Sequence, residues 1–222
     1  IMSFLSSVGS YVGSFFTRES ACAVGITGAC TAGLKILYEA SDYLGQRAFS
    51  MSGGRVSLHN IIPESLKDRC RLVGDFFRYN VITPIGMNAP RIGFINDRLP
   101  LTDYYPLSST VGACPIIEEG IFRALPLAFV TVMRQIPSMN ERMIEIGDVG
   151  ASGADITNLA ILFFQAVCFT YYHENESGTQ RLQPGRAAGI LLSGVAYYLI
   201  AENFGIGTAI LAHASYNLSS FL

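Results

Sequence analysis

Uncharged runs broken by short polar clusters dominate the C-terminal half of the chain. Residues 156–173 (ITNLAILFFQAVCFTYYH) and 203–222 (NFGIGTAILAHASYNLSSFL) contain no Asp, Glu, Lys or Arg. Residues 187–201 (AAGILLSGVAYYLIA) form an apolar run between Arg186 and Glu202. The stretch 109–133 is apolar except for Glu118, Glu119 and Arg123, and 20–34 is a weaker, Gly-rich run. A bilayer core of roughly 30 Å takes about 20 helical residues, so the two uncharged runs are long enough to span one. Helices buried in a soluble core would give the same pattern, and that alternative stays open. The pattern predicts an all-α fold with core helices near 109–133, 155–173, 187–201 and 207–221. The connection 174–186, with Pro184 and Gly185, predicts antiparallel neighbours on either side of it.

The section 41–108 is different, with eight basic and six acidic residues and five of the nine prolines. Its clearest element runs from Glu64 to Asn80, where Leu66, Cys70, Val73 and Phe77 recur at helical spacing. Pro63 marks its start. Lys67, Asp68, Arg69, Arg71, Asp75 and Arg78 cover the other side, which predicts an amphipathic helix, interfacial or packed on the rest of the fold. Residues 81–108 are rich in Pro, Asn and Asp and read as extended loop. The organisation is therefore 1–40 as N-terminal apolar helices, 41–108 as a polar insert, and 109–222 as a helical core.

Composition sharpens this picture. Only 14% of the 222 residues are charged, the net charge is −2 and mean hydropathy is +0.36. Ordinary soluble domains carry about 25% charge, so the balance points to a membrane protein. A near-neutral chain lacks the basic surplus that phosphate neutralisation needs, so no nucleic-acid partner is expected. The basic excess in 41–108 is too small to orient the chain across a bilayer. The five cysteines form no CxxC, and their odd number fits no complete disulfide framework. Three of them lie in apolar surroundings and read as small buried hydrophobes.

Ionisable groups inside apolar helices are costly and each needs a reason. Glu119 and Arg123 are four apart on one helical face, and Glu118 is turned about 100° from Glu119. A solvated helix with an i,i+4 ion pair is the plain alternative. His173 closes the run Phe169-Thr170-Tyr171-Tyr172-His173, where a capping or surface histidine is the plain alternative. His213 and Asn217, also four apart, share a face of the last apolar run. There an interhelical hydrogen bond would account for the amide. Together these clusters bring two carboxylates, an arginine, two imidazoles and an amide onto three helices. A Glu with a His can activate water, and a His with an Asn can donate to an oxyanion. That inventory suits peptide hydrolysis without a covalent intermediate, and no G-x-S-x-G motif is present.

The order EEGIFR, FTYYH, AILAHASYN resembles the three motifs of the CAAX prenyl endopeptidase and bacteriocin-processing (CPBP, or Abi) intramembrane proteases. Those motifs run E-E-x-x-x-R, F-x-x-x-H and H-x-x-x-N. They fall on Glu118, Glu119 and Arg123, on Phe169 and His173, and on His213 and Asn217, within about 105 residues (115–222). The N-terminal half carries no matching motif. The resemblance implies a multi-pass transmembrane helix bundle, in the plasma membrane if bacterial and the endoplasmic reticulum if eukaryotic. It implies a glutamate-type endopeptidase with no metal and no other cofactor. Glu118 would be the base that activates water with His173, and His213 and Asn217 would form the oxyanion site. Glu119 and Arg123 would hold the catalytic helix. The implied partners are membrane lipid and a peptide or protein substrate, with membrane-associated and lipidated chains as candidates.

Two other classes compete. Glu118, Glu119, His173 and His213 could ligate zinc in a membrane metalloprotease, although H-E-x-x-H is missing. A non-catalytic scaffold or immunity protein of the same fold is the other, and it would have no need for both Glu118 and His173.

Overall fold

The computed structural model describes residues 18–82, 84, 109–141, 143–146, 149–174 and 182–219. The loop expected at 81–108 lies almost wholly outside the described residues. The described chain is mostly helical, 88% helix against 3% strand.

Helix α1 (Arg18–Met51) is a single 34-residue element, so it runs straight through the 40/41 boundary drawn from composition. A helical turn α2 (Leu58–Ile61) follows, capped by Ser57, whose side chain accepts from the Asn60 N–H. Next comes α3 (Glu64–Phe77), prolonged by a π-helical turn, Arg78–Ile82. The stretch expected as a helix near 109–133 is one winding path: a π turn (Ser109–Ala113), α4 (Cys114–Glu119), a second π turn (Gly120–Ala124) and α5 (Leu125–Arg134). Pro126 has no N–H to give to the preceding turn, and beside Gly120 it favours the wider winding there. A short α6 (Pro137–Glu141) leads to β1 (Met143–Ile146) and β2 (Val149–Ser152), an antiparallel pair with Ile144 opposite Ala151. The apolar pattern assigns no element to this hairpin, because two four-residue strands are too short to establish a period.

Ser152 and Asp155 then cap α7 (Gly153–Glu174) reciprocally: Asp155 N–H donates to Ser152 Oγ, and Ser152 N–H donates to Asp155 Oδ2, both at 3.1 Å. Helix α8 (Pro184–Phe204) and α9 (Ile206–Ser219) complete the chain. Gly205, at φ +88°, breaks the uncharged 203–222 run between them. At 1.5 Å per residue α7 and α8 reach about 33 and 32 Å, whereas the 14 residues of α9 reach about 21 Å. Among the described residues, α7 and α8 are the two helices long and apolar enough to cross a membrane.

Glycine decides how the helices approach. A Cβ on Gly45 of α1 would stand 2.9 Å from Gly185 Cα of α8, and one on Gly189 would stand 2.8 Å from the Tyr38 ring. The pairings 45 with 185 and 38 with 189 make the two helices antiparallel. Gly194 of α8 lies against Ala166 of α7 in the same way, and Gln165 donates to the Gly194 carbonyl at 3.1 Å. Leu34, Tyr197, Ile200, Ala201, Ala209 and Ala212 fill the resulting α1–α8–α9 core.

Helix α3 buries Cys70 and packs Leu66 against the same core, as expected, but Val73 is exposed. Its buried residues are Lys67, Cys70 and Gly74, while Leu72, Val73 and Phe76 are exposed. The cause is Gly74, where a Cβ would be 3.1 Å from Tyr172 Cα; the close crossing rotates the glycine toward α7 and Val73 away. Lys67, expected on the polar side, is buried with its ammonium donating to the His59 carbonyl at 2.9 Å and paired with Glu64. That pairing holds the Glu64 carboxyl below the ordinary glutamate range.

Candidate functional site

Two adjacent carboxylates sit at the end of α4, just where the helix widens. Pro115 opens that helix, and the π turn Gly120–Ala124 follows Glu119 directly. Single π turns recur at functional sites because they redirect side chains without breaking the helix. Glu118, Glu119 and Arg123 are all buried, the last two completely.

Glu119 is shared. Its Oε2 lies 3.4 Å from Arg123 Nε, the pairing expected from the i,i+4 spacing. Its Oε1 lies 2.8 Å from His213 Nδ1, whose N–H donates to it from α9. The other ring nitrogen of His213, Nε2, is 3.7 Å from Glu118 Oε2. One imidazole therefore stands between two neighbouring carboxylates. The ring is stacked on Tyr197 of α8, with centroids 4.7 Å apart and planes inclined by 24°.

Arg123 is held by aromatic faces. Its guanidinium carbon is 4.1 Å from the Phe169 ring centroid and 5.3 Å from that of Tyr197, and its nitrogens make no hydrogen bond among the described residues. Stacking on rings suits a planar, weakly hydrated cation in a low-dielectric interior. The charge of Glu119 is then its main compensation.

His173 reaches the cluster through its neighbours on α7. Its Nδ1 is 2.8 Å from the Phe169 carbonyl, and its ring meets Phe169 and Tyr172 edge-on at 4.5 and 4.9 Å. Phe169 also touches the His213 ring, at 6.1 Å, so it lies against both imidazoles. The Tyr172 hydroxyl donates to Glu118 Oε1 at 3.4 Å. Tyr172 thus links Glu118 to His173.

Asn217, one turn beyond His213, donates its Nδ2 to the Thr110 carbonyl at 2.9 Å. That bond fixes α9 to the π turn ahead of α4, and it uses one of the two amide hydrogens.

Glu118, Glu119, Arg123 and His213 therefore meet directly, and His173 joins through Phe169 and Tyr172. The sequence motifs do not single out Tyr172 or Tyr197 as site residues. A signal exists in the tyrosines of YYH and AYYL, since a buried tyrosine hydroxyl in an apolar helix needs a partner. The 330 Å³ cavity along α7 is lined instead by residues such as Phe49, His59, Thr170 and Tyr171. Among the described residues no three His, Cys, Asp or Glu side chains converge as a metal-binding group.

Compared with known proteins, the chain matches no family model, no curated protein and no solved structure.

Proposed function

We propose that the chain is a membrane-embedded endopeptidase of the CPBP type, cutting peptide bonds with water activated by Glu118 and His173. The observation that carries this reading is the His213 ring held between two adjacent buried carboxylates, 2.8 Å from Glu119 and 3.7 Å from Glu118. Burying two carboxylates side by side is expensive, and helix packing gives no return for it. A hydrolytic site does.

In this reading Glu118 takes a proton from water as the water oxygen attacks the carbonyl carbon. The proton then passes to the leaving nitrogen as the carbon–nitrogen bond breaks, giving a carboxylate and an amine. His173 is the second group on the water. His213, fixed at Nδ1 by Glu119, presents Nε2 to the oxygen that gains negative charge. Asn217 contributes its remaining amide hydrogen. Glu119 acts as a positioning residue, since it fixes the His213 ring and compensates Arg123.

A multi-pass membrane location is part of the proposal. Only 44% of the apolar stretch of α7 and 50% of that of α8 is buried within the protein, so about half of each is left partly or fully exposed. Ile116, Leu125, Phe129 and Val132 are exposed on the helical path that buries Glu118, Glu119 and Arg123. Polar groups inside and large apolar groups outside are what a hydrocarbon solvent selects.

Cleavage of a panel of prenylated and unmodified peptides by detergent-purified protein tests the function. Glu118→Gln is expected to remain folded and membrane-bound while losing cleavage, because an amide cannot take the proton. A fully active Glu118→Gln would remove Glu118 as the base. Recovery of the protein in the soluble fraction without detergent would refute the membrane location.

A further inference from the structure

Cys70 of α3 and Cys168 of α7 are both buried, and their sulfurs are 2.8 Å apart although 98 residues separate them in sequence. Both are free thiols. Their approach follows from the way the two helices cross. Four residues beyond each cysteine stand Gly74 and Tyr172, and a Cβ on Gly74 would be 3.1 Å from Tyr172 Cα. The helices therefore run parallel here with their backbones in close contact. Arg71 sits over the Tyr171 ring at 5.4 Å and keeps the same register. One turn back from a glycine-mediated crossing, the two cysteine side chains face each other, sulfur to sulfur, as a disulfide requires.

We propose that Cys70 and Cys168 form a reversible disulfide that staples the amphipathic helix α3 to α7, the helix that carries His173 five residues further on. The inference does not rest on the protease reading. The oxidant is a small-molecule disulfide such as oxidised glutathione. One cysteine thiolate attacks it, forming a mixed disulfide and releasing one glutathione thiol. The second thiolate displaces the other glutathione, so the protein loses two electrons and two protons and two glutathione thiols form. Both sulfurs are covered in the docked state, so exchange proceeds when α3 lifts from α7. Once closed, the bond keeps α3 docked.

The test uses detergent-purified full-length chain, treated with excess oxidised glutathione and then alkylated under denaturing conditions. Peptides are mapped by mass spectrometry without reduction. The expected result is one cross-linked pair containing Cys70 and Cys168, with Cys22, Cys30 and Cys114 still alkylated. The apparent unfolding temperature should rise by roughly 5–15 °C, as for closure of a loop of this length, and dithiothreitol should reverse the rise. Cys70→Ala and Cys168→Ala should each lack the shift. Full alkylation of both cysteines after oxidation, separate glutathione adducts on each, or a cross-link to another cysteine would overturn the proposal. The mapping is done on the unmutated chain, so it decides the matter even if a variant fails to fold.

Discussion

Replacing Glu119 by Gln keeps the shape of the side chain and removes its charge, which isolates what that charge does. The amide oxygen introduced by Glu119→Gln can still accept from His213 Nδ1. What disappears is the counter-charge of a guanidinium that is fully buried, 3.4 Å away, and without a hydrogen bond among the described residues. At an effective dielectric of about 20, two unit charges at that distance attract by about 5 kcal/mol. Breaking a buried pair by removing one partner costs about 3–5 kcal/mol in measured cases, so the two estimates agree. The stacked Phe169 and Tyr197 rings return at most about 2 kcal/mol, and they already do so in the parent chain. For a domain of this size, 1 kcal/mol shifts the melting temperature by about 2–4 °C. The expected loss is therefore roughly 6–20 °C in detergent-solubilised protein followed by thermal unfolding. Glu118→Gln provides the internal control. The Glu118 carboxylate accepts from the Tyr172 hydroxyl at 3.4 Å and lies 3.7 Å from His213 Nε2, whereas Glu119 is the ion-pair partner of Arg123, so the loss in Glu118→Gln should be smaller than that in Glu119→Gln. Adding Arg123→Met to Glu119→Gln should recover much of the loss, because an apolar replacement of both charges removes the burial cost as well. Equal destabilisation by Glu118→Gln and Glu119→Gln, or no recovery in the double variant, would refute the assignment of Glu119 as the compensating charge.

Two further outcomes follow from other contacts. Tyr172→Phe removes the hydroxyl that reaches Glu118 but leaves the ring against His173; it should cost about 1 kcal/mol or less in stability and lower peptide cleavage about tenfold. An unchanged rate would remove Tyr172 from the site. Gly185→Leu places a side chain where even a Cβ would strike the Asp42 backbone and Gln46 Cγ; by forcing α1 from α8 it should destabilise by about 3 kcal/mol or more, and wild-type melting behaviour would show that the two helices do not cross there.

Sequence alone determined the helical path and one part of the site. Apolar runs and proline positions place helices near 109–133, 155–173, 187–201 and 207–221, because helix formation in a low-charge chain is governed by local spacing and local breakers. The Glu119–Arg123 pair was legible for the same reason, since four residues along a helix is a local distance. Tertiary structure decided the rest. Whether α3 buries Val73 or Gly74 depends on how closely its backbone meets Tyr172, and no periodicity within α3 encodes that approach. The burial of Lys67 depends on the His59 carbonyl of the preceding turn. The placement of His213 between Glu118 and Glu119 joins residues 94 or more positions apart, and it requires α9 to pack at one rotation against α4. That rotation is set by small residues elsewhere, Ala209 and Ala212 in the core and Gly205 at the turn. Spacing within a helix fixes which residues share a face; only the packing of several helices fixes what that face meets.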